Sequence, residues 1–123
     1  MSEEFRHPIQ IYYEDTDLSG VVYHANYLCY FERAREHIIG ADKLVELLER
    51  GVGFVVYKVS LTFKEGAQLG DVIEIRSRYE RESEYRVVFH QSAWRGDTLL
   101  VDCEVQMVCV DRKRTLVPLP TWD

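Results

Sequence analysis

The chain contains few cysteines and no long apolar run. Only three cysteines occur among 123 residues, at positions 29, 103 and 109, and they form no C-x-x-C pair. This spacing argues against a disulfide framework or a zinc site, and it favours reduced thiols in a core. No run of about 18 apolar residues is present, so no membrane-spanning helix is expected. We therefore expect a soluble, cytoplasmic protein.

Positive charge is also scarce. There are 15 Lys and Arg residues against 21 Asp and Glu, which gives a formal net charge of -6. A surface of that sign repels polyanions, so no nucleic-acid partner is expected. The three prolines lie near the ends, at 8, 118 and 120, and no linker-like composition separates them. One continuous domain over residues 1–123 is the simplest organisation.

The first half of the chain predicts a strand followed by two helices. Ile9, Ile11 and Tyr13 alternate with other residues, a period of two that predicts a short strand. Apolar residues then recur at helical spacing over 27–38, and Gly40 is a plausible C-cap. Residues 42–50 predict a shorter second helix that ends before Gly51.

From Gly53 the period becomes two and predicts four further strands. Three apolar strand faces are expected: Val55, Tyr57, Val59, Leu61 and Phe63; Tyr85, Val87, Phe89, Gln91 and Ala93; and Leu99, Val101, Cys103, Val105, Met107 and Cys109. Short turns between consecutive strands require antiparallel pairing. The predicted fold class is therefore α+β, a five-stranded antiparallel sheet wrapped around a central long helix.

The junction between the first strand and the first helix, residues 12–27, concentrates polar groups. It holds three carboxylates, one glycine, one histidine and four tyrosines. Asp15 and Asp17 are two residues apart and share a face if the chain is extended there, about 6–7 Å apart. They are either turn and capping residues or a source of a carboxylate that attacks a carbonyl or activates water.

Other residues of the junction also have two interpretations. His24 is either a hydrogen-bonded structural residue or part of a site. No metal is expected, because no second histidine lies at helical ligand spacing, and no cofactor is expected. Gly20 is predicted to adopt a positive φ. The free N–H groups of the first helical turn, near residues 23–27, could polarise a carbonyl oxygen.

Residues 12–27, with Phe31-Glu32-Arg33-Ala34-Arg35 on the helix, resemble the hotdog-fold 4-hydroxybenzoyl-CoA thioesterase family. Within it, the match is to the Tol–Pal-associated acyl-CoA thioesterase branch of bacteria. The resemblance implies hotdog topology and hydrolysis of an acyl-CoA thioester. It implies that Asp17 is the catalytic carboxylate, as nucleophile or general base, with Asp15 in a supporting role.

The resemblance also implies the remaining site residues. Tyr13 and His24 match further active-site positions, and the thioester carbonyl would lie near the His24 amide. Substrate contacts are assigned to four residues of the same segment: Gly20, Val22, Asn26 and Tyr27. The thiol carrier, coenzyme A or acyl carrier protein, stays open. Basic residues, among them Lys58 and Lys64, are candidates for contacts with coenzyme phosphates.

Assembly and two alternatives complete the expectations. Relatives join sheets into dimers and often pair dimers, so a homo-oligomer, a dimer of dimers with sites at subunit boundaries, is expected. The alternatives are a non-catalytic acyl or protein-binding module and a dehydratase acting on acyl-carrier-protein substrates. Tyr27, Tyr30 and Phe31 are expected to be core rather than acyl pocket, with Tyr27 the best exception. Arg35, at the edge of the apolar stripe, is expected to pair with a carboxylate.

Overall fold

A computed structural model describes residues 3–123; residues 1 and 2, which the predicted domain includes, lie outside the described residues. The elements in chain order are β1 (Phe5–Gln10), a 3-10 turn (Tyr13–Asp15), α1 (Asn26–Ile39), α2 (Ala41–Glu49), β2 (Gly53–Phe63), β3 (Val72–Arg81), β4 (Arg86–Arg95), β5 (Thr98–Val110) and β6 (Leu116–Val117).

One antiparallel sheet organises the molecule. Its strands lie in the order β1-β3-β4-β5-β2, so β1 and β2 are the outer strands of this path. The two-residue strand β6 pairs with the end of β5, through Cys109 and Val117, and adds a short sixth strand to the predicted five. The predicted α+β fold class and antiparallel sheet are confirmed.

Helix α1 supplies the centre of the core. It runs one residue further at each end than predicted, and Gly40 ends it with a φ of 98°. Its buried stripe includes Tyr27, Tyr30, Phe31 and Ala34, which pack with the inward residues of β1, β3, β4 and β5. Burial of these rings is expected to supply a large part of the folding free energy.

Strand β1 differs from its prediction because the chain turns before Tyr13. The strand ends at Gln10, and Tyr13 begins the 3-10 turn. The Asp15 carboxylate accepts a hydrogen bond from the Tyr12 N–H at 2.8 Å, which closes this turn. A polar residue that bonds its own backbone overrides the period-two pattern here.

A bulge in β2 changes the predicted strand face. The register with β5 shifts between Val56 and Lys58, so that Val56 opposes the buried Met107 and Val59 opposes the buried Val105. Tyr57 instead bonds the side chain of Gln106, at 2.6 Å. The expectation that Val55, Tyr57 and Val59 share one face is therefore wrong, because one extra residue reverses the alternation.

The cysteines are free, and their surroundings are not uniform. Cys103 and Cys109 are buried, and Cys29 is exposed on α1. Burial raises the pKa of the Cys103 thiol to about 12 and that of Cys109 to about 11. The expectation of core thiols is confirmed for these two residues and is wrong for Cys29.

Candidate active site

Residues 16–22 form a small hairpin that precedes α1. Thr16 bridges Val22, and the Asp17 N–H donates to the Val21 carbonyl at 2.9 Å. The Gly20 N–H donates back to the Asp17 carbonyl at 3.0 Å, and Gly20 has a φ of 82°. The predicted positive φ is confirmed. Asp17 thus lies in a tight turn nine residues before Asn26, the first residue of α1.

Asp17 is ionised and open to solvent. Its Oδ1 accepts hydrogen bonds from the Ser19 N–H, at 2.8 Å, and from the Ser19 hydroxyl, at 2.6 Å. The Ser19 hydroxyl and N–H hold the pKa of this carboxyl below its ordinary value. Oδ2 has no hydrogen-bond partner among the described residues. Ser19 was missed in the sequence, although Asp-x-Ser is a common Asx-turn pattern.

Asp15, in contrast to Asp17, stabilises the local backbone. Its carboxylate bonds the Tyr12 N–H, and its carbonyl accepts from the Tyr23 N–H at 2.9 Å and from Asn26 Nδ2 at 3.0 Å. These bonds tie the turn after β1 to the start of α1. Asp15 is therefore hydrogen-bonded within the fold through both its carboxylate and its carbonyl. Oδ2 of Asp17, in contrast, accepts no hydrogen bond from the described residues.

The N-terminus of α1 has no side-chain cap. Ala25 occupies the N-cap position, and no acidic residue lies in the first turn. The N–H groups of Asn26 and Tyr27 donate to the carbonyls of Tyr23 and His24, at 2.9 and 3.4 Å. Within residues 3–123, the N–H groups of His24 and Ala25 find no acceptor. Free amides at the positive end of a 14-residue helix are suited to bind an oxyanion.

Two aromatic rings lie beside the His24 side chain. The His24 ring lies 4.6 Å from the Tyr23 ring and 6.2 Å from the Phe63 ring, between centroids. Phe63 is the last residue of β2, so this strand end lies beside the start of α1. Tyr13 is 81% exposed, and its side chain makes no hydrogen bond among the described residues. The catalytic role assigned to Tyr13 stays a prediction.

The four predicted substrate contacts differ in accessibility. Val22 is 6% exposed and donates its N–H to the Ala67 carbonyl at 2.9 Å. Tyr27 is 2% exposed, and its hydroxyl accepts from the Ala67 N–H at 3.1 Å. Gly20 and Asn26 are half-buried. The core interpretation of Tyr27 and its neighbouring rings is confirmed, and substrate contact at these four positions stays a prediction.

Arg35 does not have the carboxylate partner expected from the sequence. Its guanidinium is buried, and Nη1 donates to Gln91 Oε1 at 3.0 Å. Gln91 Nε2 in turn donates to the Phe31 carbonyl and to Ser77 Oγ, each at 3.0 Å. The expectation of an ion pair is wrong, because a glutamine 56 residues away supplies the acceptor.

The predicted phosphate-binding cations are only partly available. Arg76 pairs with Glu74 at 2.8 Å, and Arg81 pairs with Asp123 at 3.4 Å. The side chains of Lys58 and Lys64 make no ion pair or hydrogen bond within the part of the chain that the structure describes. Lys64 follows Phe63 directly and is therefore the predicted cation that lies nearest to His24 along β2.

Across residues 3–123, no group of three or more His, Cys, Asp or Glu side chains is arranged to hold a metal ion. Neither helix in that range is long and apolar enough to cross a membrane.

An antiparallel sheet wrapped around one long helix is the hotdog fold, and in this chain an acid-bearing turn precedes that helix. A family model described as the thioesterase-like superfamily matches residues 12–122. The chain belongs to this superfamily. It is an enzyme of the thioester hydrolase class, as the resemblance of residues 12–27 predicted.

Relatives and solved structures agree with this assignment. The acyl-CoA thioester hydrolase YbgC of Escherichia coli O6:H1 is 39% identical over 110 residues, 87% of this chain and 82% of that protein. The acyl-CoA thioesterase YbgC of Haemophilus influenzae is 34% identical over 87% and 81% of the two chains. The probable thioesterase from Bartonella henselae superposes with a TM-score of 0.85 at 29% identity, covering 98% of this chain and 100% of that one.

Proposed function

We propose that this protein hydrolyses acyl-coenzyme A thioesters to a free acid and coenzyme A, with Asp17 as the reacting carboxylate. The observation that carries the proposal is an exposed Asp17 carboxylate in the turn that precedes α1, together with free amides of His24 and Ala25 at the uncapped N-terminus of that helix. The printed names of the relatives, acyl-CoA thioester hydrolase and acyl-CoA thioesterase, support coenzyme A as the thiol carrier.

The proposed reaction begins with the thioester carbonyl oxygen on the free amides. Asp17 Oδ2 attacks the carbonyl carbon, and the resulting oxyanion accepts hydrogen bonds from these N–H groups. The intermediate collapses by breaking the C–S bond, since a thiol with a pKa of about 8.5 is a good leaving group. Water then hydrolyses the mixed anhydride, which releases the acid and restores the Asp17 carboxylate.

The lowered pKa of Asp17 is compatible with this nucleophilic route. A general base works best with a pKa near the working pH, whereas a carboxylate nucleophile only has to be ionised. Ser19 holds the pKa of Asp17 low and leaves Oδ2 available. We assign His24 and Tyr13 to orienting the substrate and the water molecule.

We further propose that the working enzyme is a homo-oligomer. Four large side chains of the junction are exposed, Tyr12, Tyr13, Leu18 and Tyr23, and one face of the outer strand β2 exposes Val59 and Phe63. Apolar surface of this extent beside an unpaired strand edge is typical of an interface. A second copy on this side would exclude water from Asp17, which strengthens its electrostatic interactions.

Lys64 is proposed as a contact for the coenzyme phosphates. It has no charged partner among the described residues and follows Phe63, whose ring lies beside His24. Lys64→Gln should raise KM for acyl-coenzyme A and leave KM for the matching acyl-pantetheine unchanged, because pantetheine lacks the nucleotide phosphates. An equal change for both substrates would contradict this role.

The test of the catalytic assignment is thiol release from acyl-coenzyme A by Asp17→Asn. Asparagine retains the Ser19 hydrogen bond through its carbonyl, so the turn is kept while the charge is lost. We expect at least about a 10²-fold loss of kcat/KM. Glu14→Gln is the matched control, since Glu14 is an exposed acid of the same segment that makes no side-chain hydrogen bond among the described residues. Equal rates for the wild type and Asp17→Asn would refute the role of Asp17.

A further inference from the structure

The segment that joins β2 to β3, residues 64–71, packs against the small hairpin that precedes α1. We call this segment the β2–β3 loop. The Val22 N–H donates to the Ala67 carbonyl at 2.9 Å, and the Leu69 N–H donates to the Gly20 carbonyl at 3.0 Å. An isolated antiparallel bridge joins the same two segments. The position of the hairpin therefore depends on the position of the loop.

The β2–β3 loop also contacts the first turn of α1. The Ala67 N–H donates to the Tyr27 hydroxyl at 3.1 Å, and Ala67 is 0% exposed. Ala67 thus bonds the helix through its N–H and the hairpin, at Val22, through its carbonyl. Because the hairpin carries Asp17 and the helix carries the free amides, this one loop residue lies between the two halves of the candidate site.

Arg95, the last residue of β4, binds the loop at three points. Its Nη1 donates to the Gly66 carbonyl at 3.2 Å and to Asp71 Oδ2 at 3.0 Å, and its Nη2 donates to Glu65 Oε2 at 3.4 Å. Asp71 Oδ2 also accepts from the Gln68 N–H at 2.8 Å. The guanidinium therefore cross-links the loop on both sides of its buried central residue.

The chemistry of Arg95 suits the fixing of geometry better than the binding of a ligand. A guanidinium holds several acceptors at once in a rigid fork, which a single ammonium group does not. Two of its three acceptors are carboxylates, so its charge is already paired. The Arg95 side chain is 36% exposed and that of Asp71 is 25% exposed. Ion pairs so accessible to solvent add little stability, so removal of Arg95 should leave the protein folded.

From these contacts we propose that Arg95 is a positioning residue for thioester hydrolysis. It holds the β2–β3 loop and, through Ala67, sets the distance between the Asp17 carboxylate and the free amides of His24 and Ala25. The inference rests on the proposed function of Asp17. A displacement of about 1 Å at the reacting groups can lower a rate about 10²-fold, even when its cause is remote. The role of Arg95 should therefore be visible in kcat.

The first test compares the kinetics of Arg95→Met with those of the wild type. Methionine keeps the length of the side chain and removes every donor. We expect kcat to fall about tenfold. KM for acyl-coenzyme A should change little, because the Lys64 N–H donates to the Leu100 carbonyl at 2.7 Å and does not need Arg95. Equal kcat values would overturn the inference. So would a rise in KM with kcat unchanged, which would make Arg95 a phosphate ligand.

Arg6→Met is the matched control. Arg6 lies on β1 and pairs with two carboxylates, Glu4 at 3.0 Å and Glu74 at 3.5 Å. Among residues 3–123 it pairs with no residue of the β2–β3 loop. The substitution removes the same charge and the same donors, so kcat and KM should stay at their wild-type values. An equal loss of kcat in both variants would assign the effect to the lost charge and overturn the inference.

A second test separates positioning from a loss of folded protein. A smaller folded fraction lowers every rate by the same factor, whereas misplacement of Asp17 matters only while Asp17 reacts. In the Asp17→Asn background, Arg95→Met should therefore lower the residual thiol release by less than about threefold, because the two changes act on one interaction. Equal factors in both backgrounds would show that Arg95 acts on folding alone and would overturn the inference.

The last test measures amide hydrogen exchange by nuclear magnetic resonance and does not need hydrolysis. Arg95→Met should speed the exchange of the Val22 and Leu69 N–H groups, which bond across the contact between loop and hairpin, and Arg6→Met should not. Unchanged exchange in Arg95→Met would overturn the inference. Failure of the proposed function has a different result, which is equal thiol release by the wild type and Asp17→Asn. Equal thiol release by the wild type and Arg95→Met, with Asp17→Asn inactive, would overturn only the role of Arg95.

Discussion

The inner face of β4 and the outer strand β2 have similarly apolar sequences but very different burial. Val87, Phe89 and Ala93 on β4 are 0% exposed, whereas Val59 and Phe63 on β2 are 41% and 48% exposed. Strand β4 has neighbours on both edges and α1 against its face, and among residues 3–123 β2 pairs only with β5. Apolar alternation thus identifies a face that should be covered and does not identify what covers it.

This contrast separates the well-packed part of the molecule from the part that contains the proposed site. The covered region holds α1 in place, and the open region contains Asp17, the free amides and the exposed rings of the junction. At the edge of a rigid sheet, the sheet fixes the positions of the side chains of a site, and the edge leaves those side chains accessible to a ligand.

The largest expected effect tests the covered region directly. Phe89→Ala should lower the free energy of unfolding by about 3–5 kcal/mol, because it leaves a cavity under α1. Phe63→Ala, the matched change in the open region, should cost less than half of that at low protein concentration. Denaturant titration of both variants measures the difference. Similar losses would show that Phe63 is as well packed as Phe89 and would remove the contrast.

The second effect tests whether a second copy of the chain covers the exposed face of β2. Val59→Lys places a charge in the exposed apolar surface and should convert the proposed oligomer to monomers. Thiol release should fall about tenfold, equivalent to about 1.4 kcal/mol. Val45→Lys, at an exposed position of α2, should change neither property. Light scattering at micromolar concentration gives the mass, and an unchanged mass for Val59→Lys would refute an interface at this position.

The sequence predicts the helices and most strands well because their periodicity is local. Helix α1 and its C-cap at Gly40 were predicted to within a residue, since apolar spacing and a glycine act on their own neighbourhood. The bulge at Tyr57 was not predictable, because it depends on how β2 pairs with residues near 106, far along the chain.

The candidate site residues could be selected from the sequence in the same local way, and their roles stay predictions. Asp17, Gly20 and His24 stand out in the sequence because their types are unusual together. The acceptor of Arg35 was not predictable, since Gln91 is brought beside it only by the packing of β4 on α1.

The third effect tests the turn that holds Asp17. Gly20→Ala should destabilise the protein by about 1–2 kcal/mol, because a φ of 82° is unfavourable for a residue with a Cβ. No atom lies within 4 Å of the added Cβ, so the cost arises from the backbone alone. Thermal unfolding measures this cost. Gly53→Ala is the control, because Gly53 has no positive φ and no atom lies within 4 Å of the added Cβ. An equal loss of stability in Gly53→Ala would contradict a backbone origin of the effect at Gly20.

The smallest expected effect is a shift of the pH profile. Ser19 lowers the pKa of Asp17, so Asp17 stays ionised until the pH falls below the ordinary range of an aspartate, about 3.9. The stabilisation that accompanies this lowered pKa is present above that range and is lost as the pH falls through the folded-state pKa.

Ser19→Ala removes the hydrogen bond from the Ser19 hydroxyl, which is the largest cause of the lowered pKa of Asp17, so this pKa should rise. The acid limb of kcat/KM should then move to higher pH, with the rate near pH 7 little changed. Far-ultraviolet circular dichroism over the same range shows whether the fold persists. An acid limb that does not move would mean that the carboxylate titrating in the rate is not Asp17.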